Sequence, residues 1–500
     1  MGQAKQQQAF DPSLPERQHE VHLLERAVER ITTLLVVVIL AVASLLPPFV
    51  APGWAQDVIS QEEPQPESVD QDQTAIDRLF LLKPEIPRAR PFPWLREQLK
   101  DLTPFLRDTK LTLSPRTFYL YRDKFDDSVS EAWTVGGALS YQSGWLFDHV
   151  AVGAVAYLSQ SLYAPLDHDG TTLLEPRQES YGVLGQSYAR VRLIEEHYLN
   201  IGRYAYDTPY VNRNDNRMTP NTFEGYTAQG ILGKDDGPQL KYLGGYIAKI
   251  KPRNDDEFLP MSQVAGASVN HGVTMGGALF TTPLPIGKLS AGAAEYFSDD
   301  VINIVYGESK YTADVTKDLG VLLALQFTDQ RSTGRDLLTG SAFNTNEFGI
   351  KSEVSYRHAV FTFGYTTARS GADLRSPWSG FPGYTSVQVG DFNRAGEDAV
   401  IAKLAYEFSR IGAPGVSAYA LIVHGWGRVN PSTHASVDNE NEMNLDLQWR
   451  PKLPFLQSIS LPFLEGISLR ARYAHVWQYQ GSENTIDDFR AIINYDLNLL

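Results

Sequence analysis

From about residue 109 to the last residue, the chain is a succession of short segments in which apolar and polar side chains alternate. Segment 443–449 reads MNLDLQW, and segment 489–496 reads FRAIINYD. Because successive side chains of a strand point to opposite faces, a period of two predicts β-strands. The 25 tyrosines, 23 phenylalanines and 39 glycines suit many short strands and turns better than helical packing.

Eighteen such segments can be counted, and an even number is what an antiparallel barrel requires. Their predicted centres are Tyr119, Val135, Val152, Val191, Ile201, Tyr226, Tyr246, Gly277, Ala291, Ile304, Leu323, Val354, Phe363, Leu404, Leu421, Leu447, Tyr473 and Ile493.

Alternation alone does not tell which face is wet. In a soluble β-sandwich the apolar faces meet in a core, whereas in a membrane barrel they face lipid and the polar faces line the lumen. Three features favour the barrel: an export signal, aromatic residues at segment ends, and short turns (141–145, 298–300) that interleave with long polar loops (167–180, 251–271, 371–398, 429–439). We therefore predict an all-β fold, a transmembrane antiparallel β-barrel of about 18 strands with inward-folded constriction loops.

The export signal is an apolar run at 31–46 that follows Arg26 and Arg30 and ends at Pro47-Pro48. Small residues follow it, and they predict cleavage after Ala55. The alternative interpretation is a retained membrane anchor, and an over-extended start would explain the long polar stretch before the run. After residue 55 no run of eighteen apolar residues remains, which excludes a helical membrane protein.

Three regions follow from this pattern. Residues 1–55 are an N-terminal extension plus signal peptide, residues 56–106 an acidic, proline-bearing, flexible periplasmic extension, and residues 107–500 the outer-membrane barrel. An amphipathic helix at 94–102 is compatible with a position at the periplasmic rim. The predicted localisation is the outer membrane of a Gram-negative bacterium.

Composition excludes several kinds of chemistry. The chain has no cysteine, so disulfides, thiolate metal sites and cysteine catalysis are absent. Its formal charge of −15 argues against a general nucleic-acid binder. The acidic clusters at 255–257 and 299–300 lack an EF-hand pattern, so we expect solvated charges, with divalent bridging to lipopolysaccharide as a hypothesis. No metal or cofactor is predicted.

Residues 202–225, GRYAYDTPYVNRNDNRMTPNTFEG, form a polar excursion between two alternating segments. It is too long for a turn, and its prolines at 209 and 220 predict bends. A loop of this length between compact strands is more often functional than idle, so we expect it to narrow the mouth of the barrel. A second long loop, 376–399, combines aromatic residues, glycines and acids in a pattern that favours a compact lid.

Basic residues recur on the polar faces of several predicted strands. A row of cations along a narrow wet wall lowers the barrier for a carboxylate, while several weak sites let it leave again. The predicted basic ladder comprises Arg190, Arg192, Lys351, Arg357, Lys403, Arg470, Arg472 and Arg490.

Three blocks carry a resemblance to a known family. They are TKLTLSPRTFYLYRDKF at 109–125, YDTPYVNRNDNRMTPNTFEGYT at 206–227, and PWSGFPGYTSV with DFNRAGED at 377–398. The chain resembles the OprD family of substrate-specific outer-membrane porins over 109–500. The resemblance implies a monomeric eighteen-stranded pore constricted by its third and seventh loops, with a basic ladder on one wall and an acidic pocket opposite. It assigns Asp207, Tyr210, Asn212, Asp215 and Arg217 to the third loop, and Ser379, Tyr384 and Asp391 to the seventh.

The predicted function is passive, selective diffusion of small carboxylate-bearing solutes, either amino acids or organic and aromatic acids, with outer-membrane lipid and lipopolysaccharide as surroundings. A second interpretation is a barrel hydrolase using His149, His424 or His475, although no serine motif accompanies them. A plugged receptor and a secreted sandwich that binds carbohydrate are further alternatives. The acidic extension departs from the family pattern, and plug, tether and disordered segment all remain open for it.

Overall fold

A computed structural model describes residues 92–234, 237–450, 466–479 and 484–500. Each strand pairs antiparallel with its neighbour in sequence, and the last long strand pairs with the first through Arg116↔Asn494 to Asp123↔Asp487. The sheet is therefore a closed barrel of 18 long strands, as predicted. Each of the predicted strand centres falls in a different long strand.

The strands are numbered here along the chain. They are β1 Lys110–Asp123, β2 Val129–Gln142, β3 Val150–Tyr163, β4 Tyr181–Ile194, β5 His197–Tyr204, β6 Thr222–Gly233, β7 Gln239–Lys251, β8 Val273–Pro283, β9 Lys288–Ser298, β10 Ile302–Thr316, β11 Leu319–Arg331, β12 Asn344–Tyr356, β13 Ala359–Ala368, β14 Asp398–Glu407, β15 Val416–Trp426, β16 Asn439–Trp449, β17 Ile467–Tyr479 and β18 Thr485–Tyr495. Two-residue strands, Leu259–Pro260 and Leu497–Asn498, pair with β7 and β1.

The burial pattern of the strands is inverted relative to a soluble protein. In β11 the apolar Leu323, Leu325 and Phe327 are exposed, whereas Gln326 and Thr328, which alternate with them, are buried. Exposed apolar side chains on the outer face are stable only against lipid, and the buried polar ones face the lumen. The inverted pattern decides between barrel and sandwich in favour of the barrel.

Four long loops lie at one end of the barrel. The second loop (L2) spans 164–180, the third (L3) 205–221, the fourth (L4) 252–272 and the seventh (L7) 369–397. The short turn at 298–300 was expected at the end opposite the long loops, and this was wrong. It joins β9 to β10, an odd strand to an even one, and therefore lies at the same end as these loops. A short connection therefore does not by itself identify the opposite end.

Helices are few. They are α1 Pro93–Leu99 and α2 Pro104–Arg107 before the barrel, α3 Met261–Val264 in L4, and 3-10 turns at Leu166–His168, Pro176–Gln178 and Phe408–Ile411. The helix predicted at 94–102 is observed at Pro93–Leu99, and residues 100–102 lie outside it. Among the described residues, no helix has both the length and the apolar character needed to cross a bilayer. The predicted signal peptide and most of the predicted acidic extension, residues 1–91, lie outside the described residues.

Candidate functional site: a loop-lined constriction

L3 follows the end of β5 and turns into the lumen, and Gly202 lies in β5 two residues before that end. Gly202 has a φ of +113°, and a Cβ there would lie 2.5 Å from the carbonyl oxygen of Ser187. Only glycine fits such a position without strain. Thr208 and Val211 then close a tight turn around Pro209, with the backbone N–H of Thr208 donating to the carbonyl of Val211 at 3.0 Å.

Tyr210 anchors the turn of L3 to the wall formed by β9 to β11. Its ring is fully buried and packs edge-on against Tyr296 and Tyr306, with centroids 5.9 and 6.2 Å away. Its hydroxyl donates to Thr328 Oγ1 at 3.3 Å. An aromatic ring buried this completely fixes the turn against β9 to β11.

The other limb of L3 reaches β1 and L2. Arg116 of β1 forms an ion pair with Asp215 at 2.7 Å and donates to the carbonyl of Arg217. Arg217 is buried, and its Nε donates to Thr171 and Thr172 of L2. L3 therefore contacts β9–β11 with one limb and β1 with the other, which makes it a crossing element of the lumen.

L7 lies along the wall beside L3. Tyr384 donates to Glu308 of β10 at 2.6 Å, and Gln326 of β11 donates to the carbonyl of Pro382. Further along the loop, the backbone N–H groups of Val389 and Gly390 donate to Glu442 of β16 at 2.9 and 2.6 Å. L7 joins β13 to β14, and it thus contacts the barrel wall on both sides of these two strands.

L3, L4 and L7 also contact one another. The Ser379 hydroxyl donates to the carbonyl of Pro209 at 3.4 Å, and the ring of Phe381 lies 6.4 Å from that of Tyr210. Trp378 is fully buried and donates to the carbonyl of Met261 in L4 at 2.8 Å. The three loops form one packed body inside the barrel.

The remaining predicted loop residues have more local roles. Asp207 is ion-paired with Arg213 within L3. Asn212 donates to the carbonyls of Thr208 and Pro209, and so stabilises the turn. Asp391 is exposed and accepts a hydrogen bond from Ser386 at 2.7 Å.

At the base of L7, Glu397 is almost fully buried, and its carboxylate accepts from the backbone N–H of Arg394 at 2.9 Å. Burial raises the pKa of Glu397 to about 7, although this hydrogen bond and the nearby Arg428 act in the opposite direction. The carboxylate therefore changes charge within the neutral range.

A row of arginines follows the wall formed by β16, β17, β18 and β1. Arg470 and Arg472 both bond to Asp446, at 2.9 and 2.8 Å. Arg472 is the register partner of Arg490 across the β17–β18 pair. Arg490 bonds to Asp488 at 2.6 Å, which continues the row.

The row ends in a cluster where L3, L4 and β1 meet. Arg122 of β1 bonds to the same Asp488 at 2.6 Å. Burial lowers the pKa of Arg217, and the guanidiniums of Arg490, Arg253 and Arg122 lower it further. Four guanidiniums therefore lie close enough to act on one another at this point.

The predicted ladder residues divide by position. Arg470, Arg472 and Arg490 lie together in the row just described. Lys351 is buried on β12, paired with Glu353 at 3.0 Å, while Lys403 of β14 is buried over the Tyr419 ring at 4.9 Å.

Arg357 and the pair on β4 lie elsewhere. Arg357 is in the exposed turn between β12 and β13, beside Asp318 at 3.4 Å, and does not line the strand face. Arg190 and Arg192 are on β4, near the end of the barrel opposite the long loops.

Sequence reasoning missed three arginines of the constriction. Arg116 and Arg122 are six residues apart on β1, so the period of two places them on one face, and that signal was available in the first resemblance block. Arg253 lies in L4, where no periodicity applies.

Two clusters bring possible metal-ligand atoms together. His271, Asp299 and Asp300 bring ligand atoms within 4.8 Å of one another, as do Glu175, Asp255 and Asp256. The Asp300 carboxylate is already bonded to Arg335 at 2.8 Å.

The three histidines considered for hydrolysis are far from a triad. His475 bonds to Asp487 at 2.9 Å, His424 contacts Asn441 and His149 contacts the carbonyl of Arg192. Within the described part of the chain, no serine hydroxyl bonds to any of these three.

A closed eighteen-stranded barrel with lipid-facing apolar residues and loops packed across its lumen is the architecture of a porin of the bacterial outer membrane. Residues 103–499 match the family described as outer membrane porin, OprD family, and the chain belongs to that family. The resemblance drawn from the sequence blocks is thereby confirmed.

Relatives and solved structures agree. The chain is 22% identical to the porin-like protein GalP of Pseudomonas putida over 437 residues, which cover 79% of this chain and 93% of that protein. The structure of Pseudomonas aeruginosa OccK9 (OpdG) superposes with a TM-score of 0.70 at 20% identity, covering 79% of this chain and 100% of that one. That of Pseudomonas aeruginosa OpdK with vanillate gives 0.67 at 20% identity, with coverage of 79% and 100%. At these identities the structures establish the shared fold.

Proposed function

We propose that the chain mediates passive, substrate-selective diffusion of small carboxylate-bearing solutes across the outer membrane, as a monomer and without catalysis or cofactor. The solutes are amino acids or organic and aromatic acids. The pore narrows where L3 and L7 cross the lumen, and the arginine row acts as the basic ladder there. The proposal rests on one observation, the excess of guanidinium charge at the constriction.

The excess follows from the partners of the arginines. Arg122 and Arg490 share Asp488 as their carboxylate. Arg217 and Arg253 add two more positive charges, and Arg217 donates to uncharged oxygens of L2. A low-dielectric, water-filled passage amplifies such an imbalance, which favours an anion.

The structure of OpdK with vanillate supports the substrate class, because vanillate carries a carboxylate. That observation belongs to OpdK. For this chain the class rests on the arginines, and the choice between amino acids and other acids depends on how strongly the acidic side of the pore participates.

Single-channel conductance in a planar bilayer tests the proposal. The refolded protein is compared with Arg122→Gln/Arg253→Gln in the presence of sodium propionate. We expect propionate to interrupt the wild-type current, and the double variant to shorten the interruptions by about tenfold, since two guanidinium contacts are removed.

Arg357→Gln is the matched control, because it removes an arginine from an exposed turn. It should behave as wild type. A folded barrel whose current is insensitive to propionate at all concentrations would overturn the proposal.

A further inference from the structure

A second pair of arginines lies on β4, beside β5. Arg190 and Arg192 are the register partners of Asn200 and Tyr198. Asn200 is fully buried and pairs with Thr227, whose hydroxyl bonds to Tyr206 of L3. Since L3 lies inside the barrel, this face of β4 and β5 looks into the lumen.

The two arginines are stacked on aromatic rings. The guanidinium carbon of Arg192 lies 4.1 Å from the Trp145 ring, and that of Arg190 lies 3.9 Å from the Tyr198 ring. The two rings are themselves stacked, with centroids 5.9 Å apart and planes 22° apart. We call these four side chains the exit stack, because they lie near the turns opposite the long loops.

The two arginines of the exit stack differ from those of the arginine row in their ion pairing. Among the described residues, neither Arg190 nor Arg192 lies within ion-pair distance of a carboxylate, whereas Arg470, Arg472 and Arg490 all do. The Nε of Arg190 is buried and has no hydrogen-bond partner in the described structure. A guanidinium stacked on a ring by its face keeps its N–H edges for an acceptor.

Aromatic contacts continue from the exit stack's wall up to the constriction. Tyr188, two residues before Arg190, meets Tyr204 edge-on at 4.7 Å, and Tyr204 meets Tyr206 of L3 at 5.2 Å. A planar solute leaving L3 along this wall therefore passes successive ring faces before it reaches the two arginines.

We propose that the exit stack is a second binding station, separate from the constriction, that selects planar aromatic carboxylates. The carboxylate accepts hydrogen bonds from the free edges of Arg190 and Arg192, while the ring of the solute lies against Trp145 and Tyr198. Two stations of moderate strength let a solute move on, as conduction requires. This inference rests on the proposed function, since the solute must first pass the constriction.

The experiment compares two acids of equal charge and similar size, sodium benzoate and sodium cyclohexanecarboxylate, on single channels. Benzoate is planar and cyclohexanecarboxylate is not. For wild type we expect benzoate to interrupt the current for about threefold to tenfold longer, the range that a ring contact of this kind supplies.

Two variants locate the effect. Trp145→Leu/Tyr198→Leu removes the rings and should make the two acids equivalent. Arg190→Gln/Arg192→Gln removes the charges and should shorten the interruptions by both acids. Tyr356→Leu/Arg357→Gln is the matched control, because it removes a similar arginine over tyrosine, 5.2 Å apart, in an exposed turn, and it should retain the preference for benzoate.

Folding of each variant is checked by the altered gel mobility of the heated and unheated barrel. If the leucine variant does not fold, Trp145→Phe/Tyr198→Phe replaces it and should keep the preference for benzoate, because it keeps both rings. In that case Arg190→Gln/Arg192→Gln decides whether the station exists, and interruptions as long as those of wild type overturn it. Equal interruption of wild type by both acids, or a preference that survives in the leucine variant, overturns the exit stack and leaves the constriction intact. Absence of interruption by either acid overturns the proposed function as well.

Discussion

At the scale of single residues, the constriction depends on a few side chains that are buried inside a water-filled barrel. Tyr210 is the clearest, since it lies at the turn of L3 and is fully enclosed by Tyr296, Tyr306 and Phe381. The surrounding rings come from strands and from L7, so one side chain joins three elements.

Tyr210→Ala should release the turn of L3 from the wall. Truncating a buried aromatic residue to alanine costs about 3–5 kcal/mol, most of it from lost packing. We expect a larger and noisier single-channel conductance, because a detached L3 no longer narrows the lumen.

Tyr210→Phe is the control for that change. It removes the hydroxyl with its hydrogen bonds to Thr328 and Gln330, each worth about 0.5–1.5 kcal/mol, and keeps the ring packing. Its conductance should stay close to that of wild type. An unchanged conductance in Tyr210→Ala would mean that L3 is held by its other contacts, such as Asp215 with Arg116.

The sequence predicted the residue-scale picture unevenly. Parity along a strand correctly grouped Arg470 with Arg472, because β17 runs without a bulge through that region. It does not distinguish a strand residue from a turn residue at its end, and Arg357 lies in a turn with a φ of 54°. Ion pairing is invisible to parity altogether: the exit-stack arginines and those bonded to Asp446 have the same sequence pattern.

At the scale of elements, L7 differs from L3 in how it is held. L3 is fixed by a buried ring, whereas the far part of L7 is held by hydrogen bonds to wall side chains. Glu442 receives two backbone N–H groups, and Arg490 donates to the carbonyl of Gln388 at 3.0 Å.

Glu442→Gln should loosen this part of L7. A carboxylate accepts at both oxygens, but an amide has one oxygen, so one of the N–H groups of Val389 and Gly390 would lose its acceptor. An unsatisfied buried N–H costs about 1–3 kcal/mol. Hydrogen exchange of the peptide that contains Val389 and Gly390 should become faster.

Glu407→Gln makes the same chemical change beside His358, at the end of β14 opposite to L7. It should leave exchange in L7 unaltered. Equal exchange in Glu442→Gln and wild type would show that the loop is held mainly by contacts such as Tyr384 with Glu308.

The existence of L3 and L7 was predictable from the sequence, whereas the parts of the barrel wall that they contact were not. Prolines, glycines and length marked 202–225 and 376–399 as long irregular segments. Which wall a loop contacts depends on side chains distant in sequence, such as Tyr210 with Thr328 and Gln388 with Asp488. Single-sequence periodicity carries no information about such pairs.

At the scale of the whole molecule, closure of the barrel determines whether any of these sites exists. The seam between β1 and β18 is extended beyond Tyr495 by the short strand Leu497–Asn498, which pairs with Thr112 and Leu113. Leu113 and Leu497 are buried together there. The alternation of the last segment continues to Leu497, and it predicts that the C-terminal strand closes the barrel by pairing with the first, which the pairing through Leu497 and Asn498 confirms.

Deleting residues 497–500 should destabilise the seam. It removes the ladder bonds to β1, the bond from the N–H of Leu499 to the carbonyl of Leu111, and the burial of Leu497. Burial of one leucine contributes about 1.5–3 kcal/mol, and an unpaired strand end adds to the loss. The midpoint of guanidinium unfolding in lipid, followed by tryptophan fluorescence, should fall.

Deleting Leu500 alone provides the comparison, because it leaves Leu497 buried and removes one long bond of 3.2 Å to Leu111. If the two deletions have the same midpoint as wild type, closure rests on the pairing of β1 with β18 alone. If only the longer deletion lowers the midpoint, the last strand is part of the seam.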